Sequence, residues 1–252
     1  MKYAKIWLIL GIVLILLSSW PNFLMLRETY MNEKILARYE TDHVDTSQGY
    51  SASLNTQHVS FKGIDIDLVE IPTGKIAPLT VHDEHENVKP GEIVQLQWYV
   101  NGQPVSTADE IWLSNRNKGA RYYSWLDVLQ VKDRRTKTEK LVLVQRLTDD
   151  DAPMDSRAWK MIWVELDGSI TEEQFTYADR SSNPLGVHIV SLAGTDLMGM
   201  GYYSDLMHVY PSLFYPILYP GIIVLLGLLF LLLGAFLHFW RDRRGNDVDS
   251  LP

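Results

Sequence analysis

Two unbroken apolar runs bracket the chain, and the residues between them alternate. The first run, residues 6–26 (IWLILGIVLILLSSWPNFLML), follows Lys2 and Lys5. The second, residues 213–240 (LFYPILYPGIIVLLGLLFLLLGAFLHFW), stops at Arg241-Asp242-Arg243-Arg244. A helix needs about 20 apolar residues to cross the hydrocarbon layer, and neither run contains Asp, Glu, Lys or Arg. Each therefore predicts a transmembrane helix. A short basic start before an apolar run is the form of a signal sequence or a signal anchor. The apolar residues continue past Trp20 to Leu26 with no small-residue cleavage site, which predicts a retained anchor. Lys2 and Lys5 precede the first span, and Arg241, Arg243 and Arg244 follow the second. Because cations stay on the cytoplasmic side, both termini are expected inside and the central portion outside. Trp7, Trp20 and Phe23, with Tyr215, Tyr219, Phe239 and Trp240, fit interfacial aromatic belts.

Residues 27–39 (RETYMNEKILARY) place Met31, Ile35 and Leu36 at helical spacing and predict an extension of the first helix. Residues 40–57 are polar and predict a loop. The pattern then changes to period two. Ile64, Ile66 and Leu68 alternate with Asp65 and Asp67, and Val94, Leu96, Trp98 and Val100 alternate with Gln95, Gln97 and Tyr99. Such alternation is that of half-buried strands. Further strands are expected at 111–113, 122–131, 140–147, 158–166, 170–177 and 186–192, with hairpin turns at Asn101-Gly102 and Asp167-Gly168 and a basic tip at 132–137 (KDRRTK).

The resulting expectation is a membrane-anchored, mainly-β protein, with two transmembrane helices flanking an extracytoplasmic antiparallel β-sandwich or barrel-like domain. Its parts are an N-terminal transmembrane helix (1–26), a helical extension and polar linker (27–58), the β-rich domain (59–210), a C-terminal transmembrane helix (211–240) and a short cytoplasmic tail (241–252).

Composition narrows the function classes. Net charge is −8, and the flanking cations leave the middle clearly acidic. Phosphate attraction needs clustered Lys and Arg, so nucleic acid is not an expected partner. The chain has no cysteine, which excludes disulfides, thiolate metal sites and cysteine nucleophiles. There is no G-x-S-x-G elbow, P-loop, G-x-G-x-x-G or H-E-x-x-H.

The sharpest polar cluster is His82-Asp83-Glu84-His85-Glu86. His82, His85 and Glu86 can in principle ligate a divalent metal such as zinc, although an exposed acidic loop accounts for the same residues. Asp149-Asp150-Asp151 lacks the alternating spacing that wraps calcium, and reads as a solvated turn. Trp98, Trp112, Trp125, Trp159 and Trp163 read as core, with a sugar-binding row as the competing reading. Gly227 and Gly234 lie seven apart, near one helix face, and with Gly11 they are candidate helix-packing positions. No cofactor is expected. The expected function is a non-enzymatic accessory, assembly or scaffold subunit of the cell membrane, with a membrane or envelope protein as partner. Alternatives are an envelope enzyme or glycan-binding protein, metal-dependent in one version, and an extracytoplasmic sensor that signals through a separate partner.

Overall fold

A computed structural model describes residues 2–44, 57–77, 90–106, 109–113, 122, 124–148, 152–195 and 213–248. The chain divides into two compact units, Met1–Tyr30 with Gly201–Pro252, and Met31–Met200. In chain order the elements are helix α1 (Lys2–Arg38) and strands β1 (Tyr39–His43), β2 (His58–Phe61), β3 (Ile64–Ile76), β4 (Glu92–Val100), β5 (Gln103–Pro104), β6 (Asp109–Leu113), β7 (Leu126–Asp133), β8 (Thr138–Arg146), β9 (Ala158–Glu165) and β10 (Ile170–Thr176). Helix α2 (Pro184–Leu192), a π-wound segment (Leu213–Ile222) and helix α3 (Ile223–Val248) follow.

In the first unit, α1 and the segment from the π-winding into α3 are each long and apolar enough to cross a membrane. Their large apolar side chains stay exposed: Leu26 is 70% and Leu232 69% accessible. Such a surface is costly in water and suits hydrocarbon. Both helices outlast their apolar runs, since α1 reaches Arg38 and α3 continues through Arg241 to Val248.

The second unit holds two antiparallel sheets. The first has the order β1-β7-β8-β9-β10; the second has β2-β3-β4, with β5 and β6 pairing different parts of β4. Alternation along the strands explains the packing. Leu141 and Leu143 of β8 join Val128 and Ile162 in one core, together with Ile66, Leu68, Leu96 and Trp98 of the second sheet. Val142 and Val144 point the other way, into a second core with Met161, Trp159, Ile189 and Val190. So β8 is covered on both faces, by the second sheet on one and by α2 on the other. That is why its apolar run is continuous rather than alternating. Each fully buried Leu or Val here stabilises the fold by roughly 1.5–3 kcal/mol.

Asn101 and Gly102 turn with φ of 50° and 76° between β4 and β5, the positive-φ geometry of a tight hairpin. The β2–β3 turn at Lys62 and Gly63 uses the same geometry.

Three expectations need correction. Residues 186–192 are not a strand but lie in α2. The side chain of Asn183 accepts the Gly186 amide at 2.9 Å, and Pro184 occupies the first turn. A capping residue followed by proline starts a helix even where the following residues are β-branched. Residues 39–43 are not linker but the edge strand β1, laddered with β7, with Glu40 and Asp42 exposed and Tyr39, Thr41 and His43 half-buried. The strand expected from Tyr122 begins at Leu126, after a turn in which the Trp125 amide donates to the Tyr122 carbonyl.

Candidate functional site

In the helix unit, glycines set the approach. A Cβ added at Gly11 would stand 2.7 Å from the Gly227 carbonyl oxygen and 2.9 Å from the Leu231 amide nitrogen. One at Gly227 would meet Ile15 Cγ1 at 2.7 Å, and one at Gly234 would meet Leu8 Cγ at 2.7 Å. Backbones that close leave no room for a Cβ, so these positions require glycine. Trp7 and Phe230 add a ring contact at 4.9 Å.

Pro21 lies inside α1 and cannot donate to the Leu17 carbonyl one turn back. The Tyr219 hydroxyl donates to that oxygen instead, at 2.9 Å. Nearby, Ser18 Oγ donates to Leu14 O and Asn22 Nδ2 donates to Ser18 O, each at 2.8 Å. The Ser18, Asn22 and Tyr219 donors are thus satisfied within the pair, an arrangement that would suit a hydrocarbon surrounding. Neither apolar run contains Asp, Glu, Lys or Arg, and the one imidazole, His238, lies near the end of the second.

The β-unit carries two polar clusters. On the face of the first sheet beneath α2, His43 Nδ1 lies 2.7 Å from Asp127 Oδ2, and Thr41 Oγ1 lies 3.0 Å from His188 Nε2. The Asp127 carboxylate raises the pKa of His43, against the opposing effect of burial. Burial lowers that of His188. The second cluster lies between the sheets. Lys160, with a side chain only 1% exposed, donates from Nζ to Ser106 Oγ at 2.9 Å and pairs with Asp109. Beside it, Trp98 Nε1 donates to Gln145 Oε1 at 3.1 Å, so one hydrogen bond ties the two sheets across the core. The Arg146 guanidinium lies 4.1 Å above the Trp125 ring. These contacts hold sheets and helix in register.

A third feature is the β7–β8 tip. Asp133 Oδ2 accepts from Arg38 Nε at 3.0 Å and Nη2 at 2.7 Å. Its Oδ1 accepts the amides of Arg135 at 2.8 Å and Thr136 at 3.3 Å. The Arg38 guanidinium and these amides hold the carboxyl at about 2, well below the ordinary range.

His82, His85 and Glu86 lie outside the described residues, as do Asp149, Asp150 and Asp151. Among the described residues no group of three His, Asp or Glu is arranged to hold a metal. Trp159 and Trp163 are buried in the core beneath α2, and Trp98 and Trp125 in the core between the sheets. No protein family, curated protein or solved structure matches this chain. Its function is therefore read from its own residues. Sequence reasoning passed over Lys160, although a lone lysine at an inward position of an apolar strand (AWKMIWVE) is a visible signal. His43 and Asp127 gave no such signal, because strand pairing alone brings them together.

Proposed function

We propose that this chain is a two-span membrane protein that serves as an accessory, assembly or scaffold subunit. In this reading both termini are cytoplasmic, and the two sheets form an extracytoplasmic sandwich presented to a partner protein of the membrane or envelope. The orientation rests on Lys2 and Lys5 before the first span and on Arg241, Arg243 and Arg244 after the second. The observation that carries the reading is the closed helix pair. Its glycine contacts and the Tyr219–Leu17 hydrogen bond hold two spans together, with no Asp, Glu, Lys or Arg inside either to serve transport. The polar clusters of the β-unit support the same reading, since they lock sheet to sheet and sheet to helix. What the chain offers outward is a shaped surface on an anchor.

Two measurements test this. Because the native chain has no cysteine, single cysteines at Ser169, in the exposed β9–β10 turn, and at Ser250 report topology directly. A membrane-impermeant thiol reagent should label the first and spare the second in intact cells. Extraction in mild detergent should then bring down one membrane or envelope protein in fixed ratio. Labelling of Ser250→Cys alone, or a solitary protein after mild extraction, overturns the reading.

A further inference from the structure

We infer that the tip of the β7–β8 hairpin is the docking surface for the partner, and that the partner meets it with an acidic protein segment. This rests on the accessory-subunit reading and names the chemistry of its contact. Five cations gather here: Arg38 at the end of α1, Lys132, Arg134, Arg135 and Lys137. Two carboxylates stand among them, Glu40 and Asp133, which leaves three positive charges in excess on a chain of net charge −8.

Neither carboxylate neutralises the tip. Asp133 is consumed by Arg38 and by the turn's own amides. Glu40 stands 3.8 Å from Lys132 and 3.7 Å from Arg134, at the outer edge of ion pairing and exposed to water. Glu139, next along the strand, is taken by Lys62 at 2.5 Å and by Gln130. Arg135 and Lys137 are exposed and make no ion pair among the described residues.

The turn is also stiff. The Lys137 amide donates to the Asp133 carbonyl at 2.7 Å, and the Arg134 amide to the Arg38 carbonyl at 2.8 Å. Thr136 and Thr138 join their hydroxyls at 2.7 Å. A backbone already fixed loses little conformational entropy on binding, and an arginine fork matches a carboxylate in two parallel hydrogen bonds. Opposite charge on a partner would steer encounter and fix its register. A four-residue turn suits two or three carboxylates of one segment rather than an extended polyanion.

The experiment uses the full chain in its native membrane, with a photo-reactive benzoyl-phenylalanine in place of Thr136. After irradiation, the attached peptide is sequenced by mass spectrometry, in the otherwise native background and with R135E/K137E. The expected result is attachment to an Asp/Glu-rich segment of the co-purifying protein, with a yield at least about tenfold lower in R135E/K137E. R135Q/K137Q should give an intermediate loss, and both variants replace exposed residues, so circular dichroism should match the native protein. Attachment to lipid, attachment to a segment without acidic residues, or an unchanged yield in R135E/K137E overturns the inference. If a partner co-purifies yet never attaches at position 136, the docking surface is elsewhere and the accessory-subunit reading survives. If no partner co-purifies, that reading fails and this inference with it.

Discussion

Tyr219 supplies to the Leu17 carbonyl the hydrogen bond that Pro21 withholds, with 2.9 Å between hydroxyl and oxygen. In a helix the amide at position 21 would serve that carbonyl, and a prolyl nitrogen has no hydrogen to give. If the pair lies in lipid, as proposed, no water takes its place and a neighbouring helix must supply the donor. Removing the hydroxyl in Tyr219→Phe should cost the helix pair about 0.6 kcal/mol, the average measured for such bonds in membranes, and at most about 1.7. Pro21→Ala restores an amide beneath Leu17, and in that background Tyr219→Phe should cost clearly less. Thermal unfolding of the four proteins in detergent gives the coupling, and additive costs would sink the compensation argument.

The three glycines should not be equally intolerant. At Gly11 the added Cβ meets backbone atoms, the Gly227 carbonyl at 2.7 Å and the Leu231 amide nitrogen at 2.9 Å, which can yield only if the helices part. At Gly227 its nearest contact is a side-chain atom of Ile15, with backbone no closer than 3.1 Å. Gly11→Ala should therefore separate the spans more than Gly227→Ala. The absence of native cysteine makes the readout simple. Cysteines replacing Trp7 and Phe230, whose rings lie 4.9 Å apart, are joined by a short bifunctional reagent. Joining should fall furthest in Gly11→Ala, and equal loss at both glycines would contradict the ranking.

The helices were legible because an uninterrupted apolar run needs no partner to be read. Gly11, Gly227 and Gly234 were legible as small residues, but only the folded chain puts Gly11 opposite Gly227. Strands with clean alternation, such as β3 and β4, could be read along their length. Strand β1 (YETDH) could not, since an edge strand with polar side chains looks like a linker until its ladder with β7 is known. The residues of α2 (PLGVHIVSL) carry β-branched side chains that favour a strand, and the decisive signal was the Asn183-Pro184 start that preceded them. Lys160 and Asp109 come from different sheets, so topology joins them and no local pattern could.

That buried pair is lopsided, and its two halves should respond differently to mutation. The Lys160 side chain is 1% exposed and that of Asp109 26% exposed. Asp109→Asn leaves an ammonium in the core without its carboxylate, which should cost roughly 3–5 kcal/mol, as for other broken buried pairs. Lys160→Met keeps the volume and removes the buried charge, while Asp109 still reaches water; its cost should stay near or below about 1 kcal/mol. Denaturant unfolding of the two variants decides the matter, and a larger loss in Lys160→Met would refute this account of the cluster.

His43 of β1 and His188 of α2 should oppose one another as pH changes. Asp127 raises the folded pKa of His43, with Asp42 adding a smaller effect and burial opposing. The stability it contributes is complete below the unfolded value of about 6.5 and is lost as pH rises through the folded value. His188 is lowered by burial, against Thr41. Its folded form resists protonation, so stability falls as pH drops from about 6.5 toward the lowered folded value, and falls no further below it. Asp127→Asn removes the gain at His43, and relative to the native protein it should lose more stability at pH 5 than at pH 8. His188→Gln keeps a polar partner for Thr41 without the titration, and should recover stability at pH 5 relative to pH 8. Other carboxylates titrate alike in all three proteins, so the differences in melting temperature from the native chain carry the information. Parallel shifts at every pH in both variants would show that neither imidazole is linked to folding.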